Sequence, residues 1–154
     1  MAQPQSTYFT YATVHGPITI RATRRGVAEI VFDQVKLEGT CVATELTNTV
    51  ATQIQEYLAG KRRVFDVPID MQGSAFQKAV WTEACLVPYG EKRTAADIAE
   101  ALGKPGSHRS VGTAIKQNPL APLIPTQRVL AASATGKQAK LLRAFQALEA
   151  RNAR

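Results

Sequence analysis

Few side chains in this chain have the chemistry of a nucleophile or a metal ligand. Its 154 residues include two cysteines, Cys41 and Cys85, and two histidines, none of them at the spacing of a zinc motif. Two cysteines are also too few for the framework of a disulfide-rich protein. We therefore expect both cysteines to be reduced structural thiols, and we expect no metal and no other cofactor.

The basic side chains are concentrated in the second half of the chain. Residues 1–70 contain seven Lys+Arg and seven Asp+Glu, whereas residues 71–154 contain twelve and five, so the formal charge of +7 (12 − 5) arises in the second half. A localised positive charge is typical of a surface that binds a polyanion. A basic surface that only keeps the protein in solution is the alternative.

The first half of the chain predicts a small antiparallel sheet followed by a helix. Runs rich in Tyr, Thr, Val and Ile between Thr7 and about Val35 are separated by turn sequences at residues 15–17 and 24–26. Apolar residues then recur at every fourth position, which indicates an amphipathic helix that packs on the sheet and ends at Gly60. They are Val42, Leu46, Val50, Ile54 and Leu58.

The second half predicts a mostly helical domain. Pro68 discourages further helix, so we predict two domains, residues 1–70 and residues 71–154. Ser74 and Gln77 have the spacing of a capping box, in which each side chain satisfies a backbone N–H group at the start of a helix. The helix that follows carries four apolar residues: Phe76, Val80, Trp81 and Ala84.

Two further short helices are predicted on either side of a tight turn. Thr94 begins a second capping-box sequence, and its helix stops at Gly103. Ser107 can cap the next helix, which extends to Gln117. Two such helices are typical of a helix-turn-helix, although any helical hairpin gives this pattern. The second helix leaves basic and polar side chains on its outer face, which favours contact with nucleic acid.

The remainder of the chain completes an α+β fold. Residues 119–125 contain three prolines and predict a rigid, mostly buried crossing that fixes the residues after it. A closing helix is predicted from about Lys137 to Arg151, burying Leu141, Leu142, Phe145 and Leu148. The chain thus combines a small N-terminal antiparallel sheet and helix with a winged-helix-like DNA-binding domain. It has no run of about 18 apolar residues and no secretory signal, so we expect a cytoplasmic protein that does not enter a membrane.

An ordered series of short motifs runs through the second half. In sequence order they are Phe76-Gln77-x-x-Val80-Trp81, Pro88-Tyr89-Gly90-Glu91, Gly103-x-Pro105, Arg109-x-Val111-Gly112, Asn118-Pro119 and Pro125-x-x-Arg128-Val129. Together they resemble the O6-alkylguanine-DNA alkyltransferase family, and the strands and helix of the first half extend this resemblance over most of the chain. The family flips an alkylated guanine out of the duplex and transfers its alkyl group irreversibly to a cysteine in a Pro-Cys-His-Arg motif.

In this chain the motif reads Pro125-Thr126-Gln127-Arg128. A threonine hydroxyl is far less acidic than a thiol and needs a base beside it, and the amide of Gln127 cannot act as that base. Neither Cys41 nor Cys85 corresponds to the missing cysteine. These positions predict a protein that binds DNA without being an enzyme.

Three other positions bear on the same prediction. Relatives carry a tyrosine at the position of Ala95, and they carry a longer loop than residues 131–136 to form the wall of the base pocket. The resemblance implies that Glu149 is the acidic third member of the family's relay, although a local cap or salt bridge is the alternative that we favour. The base pocket is therefore expected to be open or absent.

The DNA-facing residues of the family are better retained. The resemblance implies that Arg109 enters the base stack in place of the flipped nucleotide, that Asn118 fixes the hinge after the recognition helix, and that the helix approaches the minor groove. The residues predicted to contact DNA are Thr94, Ser107, Arg109, Ser110, Thr113, Lys116 and Arg128.

These observations leave three functions open. The first is a monomeric alkyltransferase-like protein that senses O6-alkylguanine in double-stranded DNA and marks it for a protein of a repair pathway. The second is a helix-turn-helix protein that binds duplex DNA without preference for the lesion. The third is a methyltransferase that uses another nucleophile.

Overall fold

The structure is a computed structural model that describes residues 6–130 and 136–153, without the side chains of residues 136 and 137. The chain forms two compact units, Met1–Gln72 and Gly73–Arg154. None of the helices within the described residues has the length and apolar composition needed to cross a membrane.

The first unit contains a four-stranded sheet. Its strands are β1 (Thr7–Thr13), β2 (Gly16–Thr23), β3 (Gly26–Val31) and β4 (Thr40–Cys41), in the order β3-β2-β1-β4. The predicted antiparallel pairing is confirmed for β1 with β2 and for β2 with β3. Strand β4 adds a parallel edge to β1, so the sheet is mixed. With only two residues, β4 is too short to show the alternating pattern of a strand in the sequence.

Helix α1 (Glu45–Leu58) packs against this sheet through buried residues that include Val50, Ile54 and Tyr57. The predicted helix is confirmed, but Val42 lies before it and is 43% exposed. The reason is local: Thr44 is the N-cap and forms a reciprocal capping box with Thr47, so the helix cannot extend back to residue 42.

The second unit is mostly helical. Its elements in chain order are α2 (Ala75–Cys85), β5 (Arg93–Thr94), α3 (Ala95–Ala101), α4 (His108–Lys116), a 3₁₀ turn (Thr126–Arg128), β6 (Val129–Leu130) and α5 (Gly136–Asn152). Strands β5 and β6 pair in parallel, and the sequence did not predict this ribbon. The observed architecture agrees with the predicted α+β class with a helical DNA-binding domain.

Capping explains where the helices of this unit begin. The two predicted capping boxes are present, Ser74 with Gln77 at α2 and Thr94 with Asp97 at α3. The predicted cap at α4 is wrong, because Ser107 occupies the N-cap position but its side chain makes no capping hydrogen bond. Gly103 adopts a φ of +71°, a left-handed conformation that ends α3 at low cost.

In the core of this unit, α2 packs against α4, and the segment that follows α4 is buried. The indole Nε1 of Trp81 donates a hydrogen bond of 2.9 Å to the carbonyl oxygen of Ala114 in α4, and Trp81 is 1% exposed. Residues 120–125 are buried, as the proline pattern predicts, and the burial continues through residue 129. In α5, Leu142, Phe145 and Leu148 are buried as predicted, whereas Leu141 is half-buried.

Candidate nucleic-acid interface

Helix α4 separates apolar from polar side chains by face. Its apolar residues Val111, Ala114 and Ile115 are buried. Because side chains three and four positions apart share one face of a helix, the remaining positions form an outer surface. That surface contains His108, Arg109, Ser110, Thr113 and Lys116, all of them exposed. The predicted outward orientation of these side chains is therefore present, with two permanent positive charges among them.

Two other predicted contact residues flank this surface. Thr94 is exposed, but its hydroxyl accepts a hydrogen bond of 3.0 Å from the Asp97 backbone nitrogen. Hydrogen bonds from the backbone and side chain of Thr94, assisted by the charge of Arg93, lower the pKa of Asp97. Ser107 is half-buried at the start of α4. The hydroxyl of Thr94 is thus already engaged in holding the first helix of the helix-turn-helix.

A shallow groove of about 360 Å³ lies between the start of α2 and the outer face of α4. The side-chain amides of Gln77 and Gln117 join its two walls through a hydrogen bond of 2.6 Å. The other residues of the lining are Ser74, Phe76, Ser110, Thr113 and Ala114. The groove therefore continues the polar surface of α4 onto α2.

Residues 118–130, which we call the site segment, follow α4 and contain the motif around Thr126. Asn118 begins the segment and is buried. Its Nδ2 donates to the carbonyl oxygen of Ile124 (2.9 Å) and to Oγ1 of Thr126 (3.0 Å), while its Oδ1 accepts from the Leu120 backbone nitrogen (2.9 Å). Asn118 therefore connects the end of α4 to the position that resembles the alkyl acceptor.

Thr126 is 1% exposed. Its hydroxyl oxygen accepts a hydrogen bond of 3.0 Å from the side-chain amide of Asn118. This hydrogen bond fixes the position of the hydroxyl.

The next two residues of the motif share a buried carboxylate. Oε2 of Glu149 accepts from Nε2 of Gln127 (2.9 Å), and Oε1 accepts from Nε of Arg128 (2.8 Å) and from the Gly90 backbone nitrogen (3.1 Å). Glu149 is 2% exposed, so this is a buried ion pair rather than a surface contact. Of the two predicted roles for Glu149, the local salt bridge is present, and the bond to Gln127 coexists with it.

This network corrects the prediction for Arg128. We predicted that Arg128 contacts DNA, but it is 8% exposed, and its Nη1 donates to the carbonyl oxygen of Val87 (2.8 Å). The 3₁₀ turn directs the guanidinium inward, where it joins the end of α2 to α5. The sequence analysis also missed Gln146, whose Nε2 donates to the carbonyl oxygen of Gln127 (2.9 Å). Its spacing of three residues from Glu149 was the available signal, since both residues then share a helix face.

The other positions to which the sequence analysis assigned chemical significance are the two cysteines, Ala95 and the loop after Leu130. Cys41 and Cys85 are free thiols, and both are exposed rather than part of the core. Partial burial raises the pKa of the Cys85 thiol, against the opposing effect of the Arg128 charge. Ala95 is buried at the start of α3. The predicted short pocket loop, residues 131–135, lies outside the described residues.

No group of three or more His, Cys, Asp or Glu side chains in the described parts of the chain is arranged to hold a metal ion.

Comparison with known protein families matches nearly the whole chain to two adjoining domains. Residues 7–71 match the domain described as "6-O-methylguanine DNA methyltransferase, ribonuclease-like domain". Residues 75–152 match "6-O-methylguanine DNA methyltransferase, DNA binding domain".

Individual relatives agree with these matches. The methylated-DNA–protein-cysteine methyltransferase of Methanosarcina barkeri is 37% identical over 120 residues, which cover 75% of this chain and 76% of the relative. The constitutive enzyme of the same name from Bacillus subtilis is 46% identical over 78 residues, covering 51% and 47%.

Solved structures extend the similarity to the fold. The O6-methylguanine methyltransferase of Mycobacterium tuberculosis superimposes with a TM-score of 0.85 at 30% identity, covering 96% of this chain and 94% of that one. A crystal structure of Mycobacterium tuberculosis OGT in complex with DNA superimposes with a TM-score of 0.82 at 32% identity, covering 95% and 94%.

These relatives contradict one prediction. The sequence analysis predicted that the chain is not an enzyme, but relatives that share 37% and 46% identity with it are named methyltransferases. The prediction rested on Thr126 and Gln127 of one motif, supported by Ala95 and the short loop, and it is withdrawn.

Proposed function

This chain belongs to the 6-O-methylguanine DNA methyltransferase family, and we propose that it binds duplex DNA through α4 and recognises O6-alkylguanine within that duplex. The relatives named above act on methylated DNA, and a structure of similar fold has been solved in complex with DNA. The outer face of α4, with Arg109 and Lys116 exposed, supplies positive charge for a phosphate backbone.

The observation that carries this proposal is the position of Asn118. One side chain contacts both the backbone at Ile124 and the hydroxyl of Thr126, and it stands two residues after the end of α4. A duplex held by α4 would therefore lie at a fixed distance from Thr126. A rigid link between a DNA-binding helix and a buried polar position is what recognition of an extruded base requires.

The position and the planar side chain of Arg109 suit it to fill the space of a nucleotide that is flipped out of the duplex. It is exposed at the second position of α4, where a helix N-terminus also attracts phosphate through its free N–H groups. Its planar guanidinium can stack on bases while it donates hydrogen bonds, which an ammonium group cannot do. We assign Arg109 to the space left by the flipped nucleotide, with α4 in the minor groove.

The fate of the alkyl group is a separate question within this proposal. Transfer breaks the bond between O6 and the alkyl carbon and forms a new bond from that carbon to an acceptor atom of the protein. The acceptor gives up its proton, and the released guanine takes up one proton, so the step balances. In the relatives the name of the enzyme specifies a cysteine. In this chain the site segment offers the hydroxyl of Thr126, and the two thiols are those of Cys41 and Cys85.

A second candidate function is duplex binding without preference for the lesion. It is favoured by the burial of Thr126, which is 1% exposed, because a flipped base can reach this position only if the site segment opens. The contacts of α4 with phosphates do not need such an opening. Affinity would then depend on charge alone and would fall steeply with salt.

Fluorescence titration of two duplexes that differ by a single O6-methyl group separates the two candidates. Recognition predicts tighter binding of the modified duplex at every salt concentration, and a tenfold preference corresponds to about 1.4 kcal/mol. Equal affinities would exclude recognition of the lesion and leave duplex binding as the function.

Intact-mass and peptide mass spectrometry of the same mixtures determine whether transfer occurs and to which residue. A gain of one CH₂ group on a peptide that contains residue 126, 85 or 41 would identify the acceptor. The cytoplasmic location, the monomeric state and the repair partner stay predictions.

A further inference from the structure

Two basic residues beside the helix-turn-helix were not among the predicted contacts. Lys92 and Arg93 are both exposed and directly precede Thr94, the N-cap of α3. Neither forms a salt bridge within residues 6–130 and 136–153. They are therefore available cations at a defined place in the DNA-binding unit.

The parallel ribbon fixes Arg93 next to the site segment. Arg93 pairs with Val129, and Thr94 pairs with Leu130. Val129, the residue that pairs with Arg93, comes three residues after Thr126. Three residues of extended chain span at most about 11 Å, so Val129 lies no farther than this from Thr126. The backbone of Arg93 thus has a fixed position beside the residues that we assign to lesion recognition.

The same strand is attached rigidly to the helix-turn-helix. The Thr94 backbone nitrogen donates to Oδ2 of Asp97 (3.0 Å), and the Thr94 hydroxyl accepts from the Asp97 backbone nitrogen, so β5 continues into α3 without a linker. In a helix-turn-helix the first helix crosses the DNA backbone while the second enters the groove. Cations at the start of the first helix are therefore close to phosphates when the second helix is bound.

The acidic side chains nearby do not neutralise the positive charges of Lys92 and Arg93. The Asp97 carboxylate interacts electrostatically with Arg93, but it is also engaged in the cap, where its Oδ2 accepts a hydrogen bond from the Thr94 backbone nitrogen. Glu91 is exposed, and its carboxylate forms no salt bridge with Lys92 or Arg93 within the described residues. A phosphate that approaches from solvent meets the side chains of Lys92 and Arg93.

We propose that Lys92 and Arg93 bind the sugar–phosphate backbone of the duplex contacted by α4, beside the site segment. This inference rests on the proposed function because it adds a second contact with the same DNA. A contact at the ribbon and another on α4 would hold the duplex at two points, and a duplex held at two points cannot rotate freely while one nucleotide is extruded. The ribbon contact is not sequence-specific, because it is made with phosphates.

The test compares two double variants that remove the same charge. Lys92→Ala with Arg93→Ala alters the ribbon, while Lys140→Ala with Arg143→Ala alters exposed basic residues of α5. Each lost phosphate contact lowers the slope of log affinity against log salt by about 0.9. We expect the ribbon variant to bind modified and unmodified duplexes more weakly by the same factor, with a slope reduced by up to about 2. The α5 variant should keep the wild-type slope.

Arg93→Lys provides a second control, since it retains the charge and should retain most of the slope. Equal slopes for the ribbon variant and the wild type, or equal losses in the ribbon and α5 variants, would overturn the inference. This outcome is distinct from failure of the proposed function. That failure appears as equal affinity of the wild-type protein for modified and unmodified duplexes, whatever the slopes.

Discussion

Helix α4 and the site segment are neighbours in the chain, but they differ in how their polar groups are satisfied. In α4 the polar side chains face solvent, and Arg109 and Lys116 make no salt bridge within the described residues. In the site segment, residues 120–129 are buried, and the polar groups of Thr126, Gln127 and Arg128 are bonded inside the unit.

This difference separates two physical tasks. Exposed cations contribute little to folding, because exposed charges are well solvated, but they can bind a polyanion. Buried polar groups are costly unless every partner is present, so they fix one geometry and tolerate little change. Substitutions on the exposed face of α4 should therefore alter affinity for DNA without altering the free energy of unfolding. Substitutions in the buried network should alter the free energy of unfolding without altering affinity for DNA.

The largest effect is expected in the buried network. Glu149→Ala removes the acceptor for Gln127, Arg128 and the Gly90 nitrogen and leaves the charge of Arg128 buried without its partner. Loss of one member of a buried ion pair costs about 3–5 kcal/mol. Urea unfolding followed by far-ultraviolet circular dichroism measures the change.

Glu100→Ala, an exposed acidic residue of α3, is the matched control and should change the free energy of unfolding by no more than about 0.5 kcal/mol. If the two variants were equally stable, Glu149 would not hold the site segment in place.

A change of intermediate size, in affinity for DNA, is expected from substitutions on the outer face of α4. Arg109→Ala should weaken binding to duplex DNA by about tenfold, equivalent to about 1.4 kcal/mol, because it removes both a charge and a stacking group. Its free energy of unfolding should stay within about 0.5 kcal/mol of the wild type. Lys78→Ala, which removes an exposed charge from α2, should weaken binding less. Equal losses in the two variants would mean that only diffuse charge attracts the DNA.

The smallest expected change is in stability, when the cap between strand β5 and helix α3 is altered. Hydrogen bonds from Thr94 lower the pKa of Asp97 from its ordinary value of 3.8. A carboxylate with a lowered pKa in the folded state stabilises that state above its unfolded pKa, and this contribution is lost as pH falls through the folded pKa.

Asp97→Asn should therefore be less stable than the wild type near neutral pH, and the difference should shrink as pH falls through the folded pKa of Asp97. Thermal unfolding at a series of pH values measures this, with Glu100→Gln on the same helix as the control. A difference that is independent of pH would show that the ionised carboxylate does not contribute to the cap.

Local signals in the sequence predicted most of the fold. The first three strands are rich in Tyr, Thr, Val and Ile and are bounded by turn sequences, and the capping boxes at Ser74 and Thr94 define helix starts within a few residues. The strands β4, β5 and β6 were missed, because two residues show no period and their partners are distant in the chain. The cap at Ser107 was predicted from its residue type, but the backbone there places its hydroxyl in no capping bond.

The candidate site was predicted less completely than the fold. The outer face of α4 follows from helical periodicity alone, so its exposed residues were identified correctly as a surface. The role of Arg128 was not, because its partner Glu149 lies 21 residues away and only folding brings the two together. The prediction that the chain is not an enzyme generalised from Thr126 and Gln127, whereas similarity to the methyltransferases extends over the whole chain.

The sequence by itself determined the charge, the helix periods, the capping boxes at Ser74 and Thr94 and the order of the motifs, because each depends on residues close together in the chain. Tertiary structure decided which polar groups are buried and with which partners. Arg109 is exposed and forms no salt bridge within the described residues. A cation such as Arg128 becomes part of the interior when α5 supplies Glu149. That choice is made by packing between distant segments, so no local pattern contains it.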